Sequence, residues 1–268
     1  MIKKFYIVTG KGGVGKSLTA HALCLYLKEM GYHPQLVTFR SSGLDQNDEV
    51  NKYMHSDEID YMPLVLAECV ENYIASRLNS KIIAKGIIRA PFFRALINMI
   101  PGFNYLIYLG QILQTLHDTD DEKMVLVLDS PASGHALTML ESVYNFQSIF
   151  QSGIIYDDTT KMLNQLNAED FCQVNIVTLP SVLAMNEALE FEKQVAEITH
   201  LKTKISINNM LSKIPDLTGD LPTFLKKKIQ IENEVVETFG DYPSLPHSLE
   251  TQSENIIKEL IPGMENLV

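Results

Sequence analysis

Residues 10–17, "GKGGVGKS", place four glycines, two lysines and a hydroxyl within eight positions. Gly10, Gly15, Lys16 and Ser17 satisfy the spacing G-x-x-x-x-G-K-[ST], whose chemistry is the binding of nucleotide phosphates. Gly10, Gly12, Gly13 and Gly15 keep Cβ atoms out of the way. Successive backbone N–H groups, those of Val14 and Leu18 included, can then converge on phosphate oxygens. Lys16 has the length and charge to reach the β- and γ-phosphates, and the Ser17 hydroxyl suits Mg²⁺. Lys11 is surplus to the pattern. Inside its own loop it adds little that Lys16 does not supply, and its tip could instead reach phosphates held by a neighbouring subunit.

Such a motif needs a strand to deliver it and a helix to receive it. Residues 5–9 form a short apolar, β-rich run that the turn glycines end. In "KSLTAHALCLYLKEMG", Ala20, Leu23, Leu27 and Met30 recur at helical spacing, with Gly31 as the stop. Residues 34–39, "PQLVTF", complete a β-α-β unit, which builds parallel sheet through a right-handed crossover. Further strands are predicted at 123–130 ("KMVLVLDS"), 173–180 ("QVNIVTLP") and 204–210 ("KISINNM"). The first is continuously apolar, as befits a buried central strand. Helices are predicted in "VLAMNEALEFEKQVAEITH" and, whole or broken, in "DLPTFLKKKIQIENEVVETFG". Residues 51–116 carry no comparable strand signal and read as a helical insertion. The sum is α/β: a single domain over residues 1–268, a P-loop NTPase with a doubly wound, mostly parallel sheet.

Composition narrows the partners. With 22 basic and 33 acidic residues the net charge is −11, which opposes a broad nucleic-acid surface, so no nucleic acid is expected. Cys24, Cys69 and Cys172 are widely spaced with no CxxC pair, so neither a zinc clasp nor a redox pair is signalled. His33, His55, His117, His200 and His247 form no ligand spacing, and His21 reads as structural. The opening apolar run is too short for a signal peptide, and no apolar stretch reaches the ~18 residues of a span. A cytoplasmic location is expected.

The loop also resembles the deviant form KGGxGK[ST] of a group of dimeric ATPases. Within that group "VLVLDSPASGHALTML" is similar to the D-T-A-P-T-G-H-T-L-R pattern of the arsenite-pump and tail-anchored-protein-targeting ATPases. "IPGFNYLIYLGQIL", "ISINNM" and "YPSLPHSLE" resemble three more segments of that family, so the likeness spans nearly the whole chain. The resemblance implies an ATP- and Mg²⁺-dependent homodimer in which Lys11 crosses to the partner's nucleotide, as an arginine finger does elsewhere. It implies Mg²⁺ held by Ser17 and, through water, by Asp129. Gly134 and His135 would form a second switch that senses the γ-phosphate. Asn208 would read the adenine edge, although a strand-end turn former is the plainer reading of that residue. His135 likewise reads as a switch residue or as a simple helix start.

The departures are as informative. The family's first switch carries T-D-P-A-H, and its aspartate orients the attacking water. Here "TFRSSGLDQND" puts Arg40 at that position, and a permanently protonated guanidinium is no base. Asp45 is the nearest carboxylate that could substitute, with Asp48 behind it. Asn104 and Tyr105 stand where acidic residues are usual. Two functions follow. One is an ATPase whose dimer opens and closes around a protein or membrane-associated client. The other is a nucleotide-gated binding switch with little turnover. The apolar run at 81–113, interrupted by Lys85, Arg89 and Arg94, suits a groove for a hydrophobic helix, a lipid-facing surface, or packing against the sheet.

Overall fold

The fold comes from a computed structural model, which describes residues 2–40, 59–78, 80, 82, 86, 100–214 and 221–268. Seven strands form one parallel sheet in the order β3-β2-β4-β1-β5-β6-β7. They are β1 (Phe5–Gly10), β2 (His33–Arg40), β3 (Asp60–Val65), β4 (Met124–Asp129), β5 (Cys172–Thr178), β6 (Lys202–Met210) and β7 (Ser244–Pro246). Every residue of β1 and β5 is buried, the pattern of strands covered on both faces.

One face is covered by α1 (Lys16–Glu29), by α8 (Ser253–Leu260) and by the 3₁₀ segment Ile261–Leu267. Tyr6, Val8, Leu23, Leu27, Met264 and Leu267 meet there. The other face carries α2 (Leu66–Leu78), α3 (Phe103–Asp118), α4 (Ser133–Phe150), α5 (Ile154–Leu166), α6 (Val182–Ile198) and α7 (Thr223–Phe239). Its core runs from Phe5 and Ile7 through Leu109, Met139 and Val195. Helices on both faces of a parallel sheet make the doubly wound α/β class. No helix among the described residues is long and apolar enough to cross a membrane.

The predicted strands appear within a residue or two of their expected ends. The uniformly helical reading of 51–116 is corrected, because β3 lies inside it. β3 is an edge strand, hydrogen-bonded to β2 alone, and an edge tolerates Pro63, which breaks the strand signal in the sequence. β7 likewise lies outside the predicted strands, being three residues long and carrying Pro246.

The basic run in 223–239 is one unbroken helix, α7. Its Glu232 is fully buried and accepts the backbone N–H groups of Leu211 (3.0 Å) and Ser212 (2.9 Å), just beyond the end of β6. Glu232→Ala would leave two donors unpaired, which costs about 1–3 kcal/mol. A lowered urea midpoint with an unchanged slope is the expected result, and an unchanged midpoint would refute it.

Candidate functional site

β1 ends at Gly10 (φ 149), and the chain turns through Gly13 (φ 80) and Gly15 (φ 94) into α1. Two of these positions are glycine for a double reason. Their φ values are ones that side chains rarely adopt, and a Cβ would strike the Val177 carbonyl at position 10 or the Asn208 amide at position 15. Around Gly12 and Gly13 the space is open. The first turn of α1 has no side-chain cap and no acidic residue, which leaves its N–H groups and their partial positive charge to an anion. A phosphate chain fits this cradle.

The loop is braced from within and from beside. Lys16 Nζ donates to the Lys11 carbonyl (3.1 Å), across the turn that a phosphate would occupy. The buried Asn208, near the end of β6, donates its Nδ2 to the Val14 carbonyl (2.8 Å). Asn208, expected from the resemblance to read adenine, thus has its amide engaged in holding the loop.

At the other side of β1, β4 ends in Asp129, whose carboxylate is hydrogen-bonded by the Ser17 hydroxyl. Burial pushes the Asp129 carboxyl above its ordinary range, while the Ser17 bond and the charges of Lys16 and His21 pull it down. One hydroxyl and one buried carboxylate beside a lysine suit Mg²⁺, which keeps several waters and takes its remaining oxygens from substrate phosphates. Accordingly, no group of three or more His, Cys, Asp or Glu among the described residues could hold a metal alone. His21 joins α1 to β3, with Nδ1 3.0 Å from the Ser17 carbonyl oxygen and Nε2 2.9 Å from the Tyr61 hydroxyl. That is the structural role expected of it.

Lys11 extends from the loop to Glu187 on α6, 3.3 Å away. Leu183, one helical turn earlier on the same helix, is 72% exposed, and Val182 is 51% exposed. No local pattern marks Glu187, which sits in an ordinary amphipathic helix and reaches the loop through the fold.

His135, in the first turn of α4, lies with Nδ1 2.8 Å from the hydroxyl of Tyr105 on α3. The altered "PGFNY" segment therefore touches the expected second switch. Arg40 ends β2 on the same edge of the sheet and is exposed. Asp45 and Asp48 lie outside the described residues. Burial pushes the thiols of Cys24, Cys172 and Cys69 upward, the last to about 11, so all three favour the neutral form. Away from the loop, a mostly apolar pocket of ≈ 470 Å³ opens between α2 and the α4–α5 turn, lined by Tyr73, Ile74, Leu78, Phe150, Ile154 and Ile155 together with Arg77 and Ser152.

A family model described as anion-transporting ATPase matches residues 3–198, which takes in the loop, Asp129, His135 and Glu187. The ATPase BagA of Mycobacterium tuberculosis is 22% identical over 210 residues, covering 73% of this chain. A relative from Mycobacterium bovis, named "Putative ATPase Mb3704", matches to the same extent. The matched stretch spans 62% of the length of these relatives.

Proposed function

This chain belongs to the anion-transporting ATPase family, and on that premise we propose that it is a Mg²⁺-dependent ATPase working as a nucleotide-gated homodimer. The observation that carries the reading is the convergence of the open glycine loop, Lys16 and the Ser17–Asp129 pair at the mouth of α1. The loop N–H groups and Lys16 hold the β- and γ-phosphates. Ser17 and Asp129 hold Mg²⁺, which when bound neutralises charge that develops on the transferred phosphoryl group.

Support for the dimer comes from Lys11. Its side chain makes a surface pair with Glu187, beside the exposed apolar residues Val182 and Leu183. An exposed pair of this kind is worth little, roughly 0–1 kcal/mol, so a partner's phosphates can draw the lysine away. His135, tied to Tyr105, would carry the state of the γ-phosphate from α4 into α3. The client is proposed to be a protein or membrane-associated segment, and the apolar cavity beside α2 supports one with a hydrophobic face. The decisive experiment is phosphate release by the purified protein with Mg²⁺ and ATP, alongside its oligomeric state with a slowly hydrolysed analogue.

Arg40 favours a second reading, a switch that binds ATP and dimerises with little turnover, because the end of β2 offers no carboxylate to the water. Phosphate release by the parent separates the two, and Asp45→Asn tests whether that carboxylate serves the water. If Asp45 orients the water, turnover falls about 10²-fold or more while ATP affinity stays put, as for a contact made only in the transition state. Equal turnover in parent and variant would exclude Asp45 from that role. An ATP-bound, dimeric parent that releases no phosphate would establish the switch.

A further inference from the structure

α7 is anchored by one half only. Glu232 and Val235 are fully buried, and Val236 and Phe239 pack against the core. No residue from Leu221 to Ile231 is buried. This uncovered half carries Phe224 (69% exposed) and Ile231 (49% exposed), with the exposed Lys226, Lys227 and Lys228 between them. Phe224, Lys227, Lys228 and Ile231 are spaced i, i+3, i+4 and i+7, so they line one stripe of the helix.

Helix stability does not explain the stripe. Two large apolar side chains stand in water, and lysines are disfavoured towards a helix N-terminus. The i+4 neighbours of Lys227 and Lys228 are Ile231 and Glu232, and Glu232 is committed to the backbone N–H groups of Leu211 and Ser212. Neither lysine has an ion pair among the described residues. The other carboxylates of α7, Glu234 and Glu237, belong to its anchored half. Ammonium groups interleaved with apolar side chains on one convex face complement the surface of an anionic bilayer. Headgroup phosphates take the charge, and the acyl boundary beneath them takes the rings and branches. An acidic polypeptide would match the charge alone, and the net charge of −11 opposes nucleic acid. We propose that the N-terminal half of α7 docks on an anionic lipid bilayer, with Phe224 and Ile231 entering the headgroup layer and the three lysines contacting lipid phosphates. The proposal is independent of the nucleotide site.

The test sediments the full chain with vesicles of phosphatidylcholine, with and without phosphatidylserine. The parent should bind the phosphatidylserine vesicles, release them as salt is raised, and leave pure phosphatidylcholine alone. A lysine at such a surface is worth about fivefold in affinity, so Lys227→Gln with Lys228→Gln should weaken binding roughly 25-fold. Phe224→Ala should weaken it about tenfold with every lysine in place, and Phe224→Leu, which stays apolar, should keep most of it. The substituted side chains are exposed, so the urea midpoints of all variants should match the parent's. A parent that ignores phosphatidylserine vesicles, that binds phosphatidylcholine equally well, or whose binding survives the double lysine substitution overturns the proposal. Binding that needs the lysines but is indifferent to Phe224→Ala is purely electrostatic. That result would favour an acidic polypeptide as the partner and overturn the bilayer.

Discussion

ATP affinity is expected to fall roughly 10- to 100-fold when Lys16 is replaced by alanine, the range that follows from losing a charge-assisted bond of about 1.5–3 kcal/mol. The lysine opens α1, where the helix has no side-chain cap of its own, and its amine spans the loop to the Lys11 carbonyl. That carbonyl is a stand-in partner. With phosphates present the ammonium exchanges a neutral acceptor for an anionic one, so the loss falls on binding rather than on folding. The thermal midpoint of Lys16→Ala should therefore stay close to the parent's. Calorimetry with Mg²⁺ reads the affinity, and an unchanged dissociation constant would remove the loop from the site. If the midpoint falls sharply as well, the Lys16–Lys11 bridge is a fold contact and the loop geometry has been misjudged.

How far the sequence reveals this site depends on how local each interaction is. The loop, its strand and its helix lie within residues 5–29, so spacing alone identifies them. Asp129 is legible because its strand is an uninterrupted apolar run that ends in a carboxylate. The contacts that complete the arrangement join residues far apart in the chain. Glu187 beneath Lys11 and Tyr105 against His135 each sit in segments whose local pattern is ordinary. Asn208 illustrates the difference. Its place near a strand end can be read, but its hold on the Val14 carbonyl cannot, because that needs β6 to lie two strands from β1. β3 was hidden for another reason, since Pro63 is forbidden in most strands and allowed at an edge.

Lys11→Ala is expected to keep ATP affinity within a few fold of the parent, to lose ATP-driven dimerisation, and to lower turnover by about 10³-fold or more. The rate estimate follows from charge supplied in trans, which elsewhere is worth about 10³–10⁵ in phosphoryl transfer. In the single chain this lysine is paired with Glu187 on α6, 3.3 Å away. A role in its own loop would require it to swing back towards phosphates that Lys16 already serves. Glu187→Gln should loosen its tether and leave dimerisation intact or easier. Mixing gives the sharper discrimination. Lys11→Ala subunits retain a competent nucleotide site, and Lys16→Ala subunits retain Lys11. If the lysine acts across the interface, a mixture of two nearly inactive variants regains phosphate release, because one of the two sites in each mixed dimer is whole. If it acts within its own loop, every subunit in the mixture remains defective and no activity returns. Sedimentation with a slowly hydrolysed analogue confirms that mixed dimers form, so silence from an assembled mixture would place Lys11 in cis.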